Sequence, residues 1–403
     1  MNDRWEQARG WARTADEGDR LAPARERFRI PEGVYCCSHS LGLEPRAAAA
    51  YVQEVLDVWG ERAVEGHHLG TRAWAEYSRP LEAISARRVG AAPEEVAVMN
   101  SLTVNLHLML ASFYRPRGER HRILIERHAF PSDRYALASH LRQHGYDPAE
   151  ALVEAEGGEI EEQIAREGGR LALVLLGGVN YFSGQSFDLA ACARAAQAAG
   201  ATVGFDLAHA IGNVAIDLEA AHADFAVWCG YKYLCGGPGA PGGCYVAARH
   251  WTGREALPRL AGWWGNRADT RFEMRDAFEP ERGAAGWQVS CPSILSLAGL
   301  RAGLGEYAAA AGWEAKRQAL TAGVRRWAAA LLPEVKVVTP APGGALVAFE
   351  LGETAGAVQG KLRAAGVYSD VRGAILRLSF HPLYNRYADV VDALSALADA
   401  LAA

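Results

Sequence analysis

The sequence predicts an α/β fold, a mostly parallel sheet flanked by helices, followed by a smaller α+β unit. Short apolar runs at 96–99, 123–126, 171–176, 202–206, 225–230 and 243–247 alternate with helical stretches, the pattern of helices packed on a largely parallel sheet. After Pro292 the chain changes to long alanine-rich helices at 293–311 and 313–332. Two strand-like runs, 345–351 and 376–380, and a closing helix complete it.

In chain order, residues 1–30 are polar and charged and read as an arm. Residues 34–43 run into Pro45 and an alanine-rich amphipathic helix over about 46–62. These changes of character divide the chain into a segment 1–44 packing with the small domain, a large domain 45–290 and a small domain 291–403. No Pro/Gly/Ser linker is long enough to make the last unit independent, and no internal repeat is visible.

The 403 residues, 50% hydrophobic and 22% charged, suffice for a large core. The 42 basic and 47 acidic residues are dispersed, so no basic stripe offers a surface to nucleic acid or lipid headgroups, and a small molecule is the expected partner. No apolar run reaches the roughly 18 to 20 residues of a membrane span, and the charged start is unlike a secretory leader. A cytoplasmic location is expected. The 7 cysteines are odd in number and lack a C-x-x-C pair, so neither a disulfide framework nor a zinc knot is indicated. No metal is expected: His140 and His144 stand one helical turn apart, but no acidic third ligand accompanies them, and surface positions explain both.

Lys232 lies where a hydrophobic strand ends and a glycine-rich turn begins, in Trp-Cys-Gly-Tyr-Lys-Tyr-Leu at 228–234. A solvated lysine is one reading; an amine that bonds a pyridoxal cofactor is the other. Such a cofactor needs a carboxylate to hold its ring nitrogen protonated. Asp206 ends the run 202–206, at the carboxyl edge where ligands of open α/β sheets bind, one strand-helix-strand unit before Lys232. A helix N-cap is its alternative role. His209, three residues on, shares the local face with Asp206, or is a buried hydrogen-bonded histidine. A cofactor phosphate needs backbone N–H groups at a helix start with hydroxyl donors, which Asn100 to Thr103 supply, although a capped helix explains them too. Phe130 to Asp133 can set an aromatic ring over a flat cofactor with a carboxylate beside it, or form a simple turn.

Together these segments resemble the kynureninase family, fold-type-I pyridoxal-phosphate hydrolases, over residues 29–392. The resemblance is carried by Asn-Ser-Leu-Thr-Val-Asn-Leu-His-Leu at 100–108, Ser-Phe-Tyr-Arg-Pro at 112–116, Ala-Phe-Pro-Ser-Asp at 129–133 and Gly-Phe-Asp-Leu-Ala-His-Ala-Ile-Gly-Asn-Val at 204–214. Ala-Val-Trp-Cys at 226–229, Tyr-Lys-Tyr-Leu at 231–234, Ala-Gly-Trp-Trp-Gly at 261–265, Thr-Arg-Phe at 270–272 and Pro-Leu-Tyr-Asn at 382–385 extend it. It implies a seven-stranded large-domain sheet, a homodimer with active sites at the subunit interface, and hydrolysis of the Cβ–Cγ bond of kynurenine or a ring-substituted kynurenine to alanine and an anthranilate.

The resemblance also implies residue roles. Lys232 bonds the cofactor and Asp206 meets its pyridine nitrogen. Leu102, Thr103, Tyr231 and Trp263 surround the phosphate, Phe130 covers the ring, and Asp133, His209 and Cys291 complete the cofactor site. Arg377 takes the amino-acid carboxylate, for which its planar fork suits a bidentate pair; an exposed strand arginine is the alternative. His67, Ser40 and Trp264 line the aryl pocket, and Tyr231 moves a proton during hydrolysis.

The chain departs from the family pattern at several places. Ser-His-Ser-Leu-Gly at 38–42 replaces Gly-Asn-Ser-Leu-Gly, Cys291 stands where Asn or Thr is usual, and Asn266 where histidine is common. Gly177 and Gly230 each lack a serine found in some members. His39, Asn266 and Cys291 fall where the aryl ring and its hydroxyl should lie, and a thiol is a weak hydrogen-bonding group, so a substituted or non-standard ring is expected. Alternatives are another fold-type-I reaction (β-lyase, desulfurase or aminotransferase) or a non-catalytic binding protein. A desulfurase needs a nucleophilic cysteine, commonly late in the chain, and none lies beyond Cys291. Gly-Pro-Gly-Ala-Pro-Gly at 237–242 formally fits G-x-G-x-x-G, but two prolines interrupt it and a strand-like run follows, contrary to a nicotinamide site.

Overall fold

The computed structural model describes residues 2–252, 257–341 and 343–402. Among the described residues the α-helices are α1 (Asn2–Glu17), α2 (Ala47–Arg62), α3 (Arg79–Val89), α4 (Leu102–Phe113), α5 (Pro131–Gln143), α6 (Pro148–Ala151), α7 (Ile160–Glu167), α8 (Leu189–Ala198), α9 (Ile294–Ala308), α10 (Trp313–Leu331), α11 (Ala355–Ala364) and α12 (Tyr387–Ala402). The strands are β1 (Val34–Tyr35), β2 (Val96–Met99), β3 (Arg122–Glu126), β4 (Leu152–Ala155), β5 (Leu171–Gly177), β6 (Thr202–Asp206), β7 (Phe225–Trp228), β8 (Gly242–Val246), β9 (Lys336–Val337), β10 (Leu346–Glu350), β11 (Val367–Tyr368), β12 (Asp370–Arg372) and β13 (Ile375–Ser379).

Seven strands form one sheet in the order β2-β8-β7-β6-β5-β3-β4. All neighbours run parallel except β8, which is antiparallel to both β7 and β2. Successive side chains of a strand point to opposite faces, and here both faces are covered. Leu124, Val174, Leu176, Ala226 and Trp228 enter one core; Ile123, Ile125, Leu173, Leu175 and Val227 enter the other. That is why these strands read as unbroken apolar runs rather than alternating ones.

The smaller sheet, β12-β13-β10-β9, is antiparallel. Val347, Phe349, Leu376 and Leu378 form its core with Leu320 and Val324 of α10 and Leu394 and Leu397 of α12. Residues 2–17, expected as an arm, are the helix α1, and its Ala8 and Ala12 join that core. Asp16 ties it down by accepting from the backbone N–H groups of Tyr387 (2.7 Å) and Ala388 (3.0 Å) at the start of α12. β1 pairs in parallel with β11, carrying residues 34 and 35 onto 367 and 368. α9 contributes Leu297, Leu300 and Leu304 to the core beneath the large sheet.

One connection and one strand differ from expectation. Asp206 and Phe225 are joined by turns rather than a helix. β4 was not anticipated, because its residues are mostly half-buried or exposed at the sheet edge and give a weak apolar signal. Among the described residues no helix is long and apolar enough to cross a membrane.

Candidate active site

The carboxyl ends of β3, β5 and β6, the N-termini of α4 and α5 and the loop after β7 converge on one small pocket, with a volume of about 50 Å³. Leu102, Thr103, Phe130, Asp133, Asp206, His209, Tyr231 and Lys232, all expected at a cofactor site, line it together. Glu126, Gly177, Val179, Tyr181 and Ala208 complete the lining.

Lys232 is 9% exposed, and its Nζ lies 5.6 Å from the Phe130 ring centroid and 5.8 Å from that of Tyr231. A buried ammonium is costly without partners, and the pocket supplies three carboxyl groups against this one amine. The lysine loop is held by close backbone packing. Gly42 donates its N–H to the Tyr231 carbonyl at 2.8 Å, and a Cβ there would come within 2.3 Å of the Lys232 carbonyl oxygen. At Gly230 a Cβ would meet the Pro241 carbonyl oxygen at 2.3 Å, so a serine side chain does not fit this backbone.

Asp206 uses Oδ1 to accept the Ala208 N–H at 2.7 Å, so the turn-capping role and a pocket role coexist in one side chain. Burial, then the charge of Asp206 and a hydrogen bond with it, push the Asp133 carboxyl well above the usual carboxylate range. Burial and then the Lys232 charge hold His209 well below the ordinary histidine value, so its ring is neutral. Desolvation raises the Tyr231 phenol.

α4 begins without a side-chain cap: Ser101, at its N-cap, makes no capping bond. Its first N–H groups are therefore available to an anion. Thr103 Oγ1 lies 2.8 Å from Ser132 Oγ, joining the starts of α4 and α5. Asp133 Oδ1 and His209 Nδ1 are buried with no hydrogen-bond partner. Unpaired buried polar atoms are expensive in a finished core, and these fit a bound polar, flat, phosphorylated group.

Arg377 and His39 stand behind this pocket. Arg377 donates through Nη1 to the Tyr181 carbonyl at 2.6 Å and through Nη2 to Asp370, its cross-strand partner in β12. His39 Nε2 lies 3.3 Å from the same Asp370 oxygen, and its ring centroid is 6.4 Å from that of His209. Burial opposes ionisation of Asp370, but the His39 hydrogen bond and the Arg377 charge bring it down to about 2. Burial holds His39 down to about 4. Arg377 Nε and His39 Nδ1 are again buried and unpartnered.

The remaining expected residues do not line the Lys232 pocket, and all but Ser40 gather in a second group. His67 packs edge-on against Trp74 at 5.1 Å, and Trp263 against Phe272 at 5.4 Å. The Arg271 guanidinium covers Trp264 at 4.4 Å and donates to the Asn266 carbonyl at 3.0 Å. Cys291 and Ser40 are exposed. Around this second group Trp59, Val64, Leu69, Trp263, Phe272 and Met274 present large apolar side chains to solvent.

Sequence reasoning missed Glu126, Tyr181 and Asp370. For Glu126 the signal existed: it ends its strand as Asp206 does. For Asp370 it did not, because the partner that defines its role is brought across by the sheet.

The kynureninase C-terminal domain family matches residues 314–397, and the aminotransferase class-V family matches residues 43–248. Kynureninases of Xanthomonas euvesicatoria pv. vesicatoria (strain 85-10) and Xanthomonas axonopodis pv. citri (strain 306) are each 48% identical over 95% of this chain and 96% of their own. Among solved structures, a C-DES mutant with glycine covalently linked to its PLP cofactor superposes with a TM-score of 0.78 at 17% identity, covering 93% of this chain and 99% of its own. The cysteine desulfurase CsdA from Escherichia coli gives 0.75 at 21%, covering 95% and 98%. These structures share the fold, whereas full-length likeness at nearly half the positions places the chain more narrowly: it belongs to the kynureninase family.

Proposed function

We propose that this chain hydrolyses the Cβ–Cγ bond of L-kynurenine or a ring-substituted kynurenine, releasing L-alanine and an anthranilate with the help of pyridoxal phosphate. The observation that carries the reading is the buried Lys232 amine set among Asp206, Asp133, His209 and the uncapped start of α4. Pyridoxal phosphate, when bound, supplies an electron sink for the substrate carbanion.

The chain's own residues do the rest. Lys232 Nζ would bond the cofactor and is the base placed to take the substrate Cα proton. Asp206, whose Oδ1 accepts from Ala208, would meet the ring nitrogen of the cofactor. Thr103, Leu102 and Tyr231 would hold the phosphate at the α4 terminus, and Phe130 would cover the ring. The free Nε of Arg377 suits the substrate carboxylate. Tyr231, its phenol kept protonated by burial, is the proton donor and acceptor at the hydrolytic step.

Trp263, Trp264, Asn266, Cys291 and His67 act in the same reading from a second copy of the chain, in a homodimer whose active sites lie at the interface. The solvent-facing apolar side chains beside them support this. Ser40 and His39 lie on the substrate side, and His39, Asn266 and Cys291 favour a substituted or non-standard ring. The units 1–44, 45–290 and 291–403 serve as arm, cofactor domain and substrate-carboxylate domain. All seven cysteines are unpaired, which suits a reducing cytoplasm.

The test is direct. Incubated with pyridoxal phosphate, the protein should develop an absorbance band near the visible edge that borohydride bleaches, and with a panel of ring-substituted kynurenines it should release alanine and the matching anthranilate. Absence of the band from the folded protein, or alanine formed without an aryl acid, overturns the reading.

A further inference from the structure

Glu126 is the one acidic residue of the pocket with no role assigned so far. It ends β3, is 4% exposed, and its Oε2 accepts the backbone N–H of Gly177 at 3.1 Å. Gly177 is the register partner of Asp206 between β5 and β6. Glu126 therefore grips the peptide directly beside the Asp206 backbone. A Cβ at 177 would lie 2.9 Å from Glu126 Oε1, so a side chain there would push the carboxyl out of this position.

The charges around Glu126 leave little freedom. Asp133 comes from α5, Asp206 and His209 from the end of β6, Lys232 and Tyr231 from the loop after β7. Asn180, beyond β5, favours the charged form of the Glu126 carboxyl, and the buried Cys192 thiol of α8 also feels its charge. His209 is neutral, so Lys232 is the only cation among the described residues lining the pocket. Three ionised carboxylates around one amine repel one another where water is scarce. Burial pushes Glu126 up to about 7, with the Gly177 N–H acting against the shift and the Asp206 charge adding to it.

We propose that Glu126 is a positioning residue for Asp206: as a neutral carboxyl clamped on Gly177 it fixes the strand end that carries Asp206 and keeps surplus negative charge out of the floor of the cofactor site. The inference rests on the cofactor reading above and adds a residue to it. Ionisation of Glu126 as pH rises through neutrality places a second full charge beside Asp206, so cofactor binding carries the imprint of this one group.

The experiment titrates apoprotein with pyridoxal phosphate by fluorescence between pH 6 and 8.5, for the wild type, Glu126→Gln and Glu126→Ala. The wild-type dissociation constant should show an inflection near pH 7. Glu126→Gln, which keeps a neutral acceptor for Gly177, should bind within about twofold of wild type at pH 6 and lack the inflection. Glu126→Ala, which abandons the Gly177 N–H, should bind at least tenfold more weakly throughout. An inflection that persists in Glu126→Gln, or wild-type binding by Glu126→Ala, overturns the proposal; if the alanine protein does not fold, the glutamine comparison alone decides. Failure of wild-type apoprotein to bind pyridoxal phosphate would instead sink the cofactor reading, so the two failures are distinct.

Discussion

Acidification should loosen the helix pair that frames the phosphate end of the site, through a single histidine. His140 of α5 is buried, its Nε2 3.1 Å from His107 Nδ1 of α4, with the two rings stacked at 5.2 Å. Burial, then the neighbouring His107 and His144, hold it down to about 4, against an unperturbed value of about 6.5. The folded chain thus binds this proton less readily than the unfolded chain. Stability is undiminished above about pH 6.5 and is lost as pH falls from there toward 4. With those two values the loss at pH 5 is about 2 kcal/mol, rising to about 3 kcal/mol by pH 4. His39 and His381 are also lowered to about 4, so the raw pH profile mixes several groups, and the informative quantity is the difference between wild type and His140→Gln. Urea denaturation at pH 7, 6, 5 and 4.5 should show the wild type losing about 2 kcal/mol more than the variant between pH 7 and 5. Equal slopes for the two proteins would refute the assignment of the proton to His140.

Two further outcomes follow from the site. Asp370→Asn removes the carboxylate that holds Arg377 and His39, and with a charge-assisted hydrogen bond worth about 1.5–3 kcal/mol KM for kynurenine should rise roughly 10- to 100-fold while kcat changes only a few-fold; an unchanged KM in steady-state assays would show that Arg377 needs no such anchor. Mixing inactive Lys232→Ala with inactive Trp263→Ala subunits, with brief denaturation to allow exchange, should restore activity that neither protein has alone; no recovery after demonstrated exchange argues against a site shared between subunits.

How much of this was legible in the sequence depended on whether a residue's role is local. The central strands were readable because burial on both faces leaves continuous apolar runs, as at 171–176 and 202–206. Asp206, Phe130 and Thr103 were readable because each sits at the end of a strand or the start of a helix, and Lys232 because it lies in the loop just beyond a strand end, where the topology makes sites. α1 was missed although Trp5, Ala8, Ala12 and Ala15 recur at helical spacing, because its charged residues dominated the composition. His140 was expected at the surface; its burial depends on His107, thirty-three positions away in sequence. Asp370 is indistinguishable from a turn aspartate until β12 and β13 pair. For Trp263, Trp264, Asn266, Cys291 and His67 the chain by itself does not suffice, since the proposed site for them spans two copies.

The docking of α1 on α12 has a consequence for how the protein is made. The contact between Asp16 and Tyr387 closes a loop of 371 residues. At roughly 5–20 residues per second a ribosome needs about 20 to 70 seconds to deliver the second partner after the first. For that interval Ala8 and Ala12 have no core to enter, while the large sheet between them can already assemble. Biogenesis should therefore end with the leading helix snapping onto the trailing one, and a nascent chain halted before residue 387 should expose its first helix to chaperones and proteases although the middle of the protein is already protected.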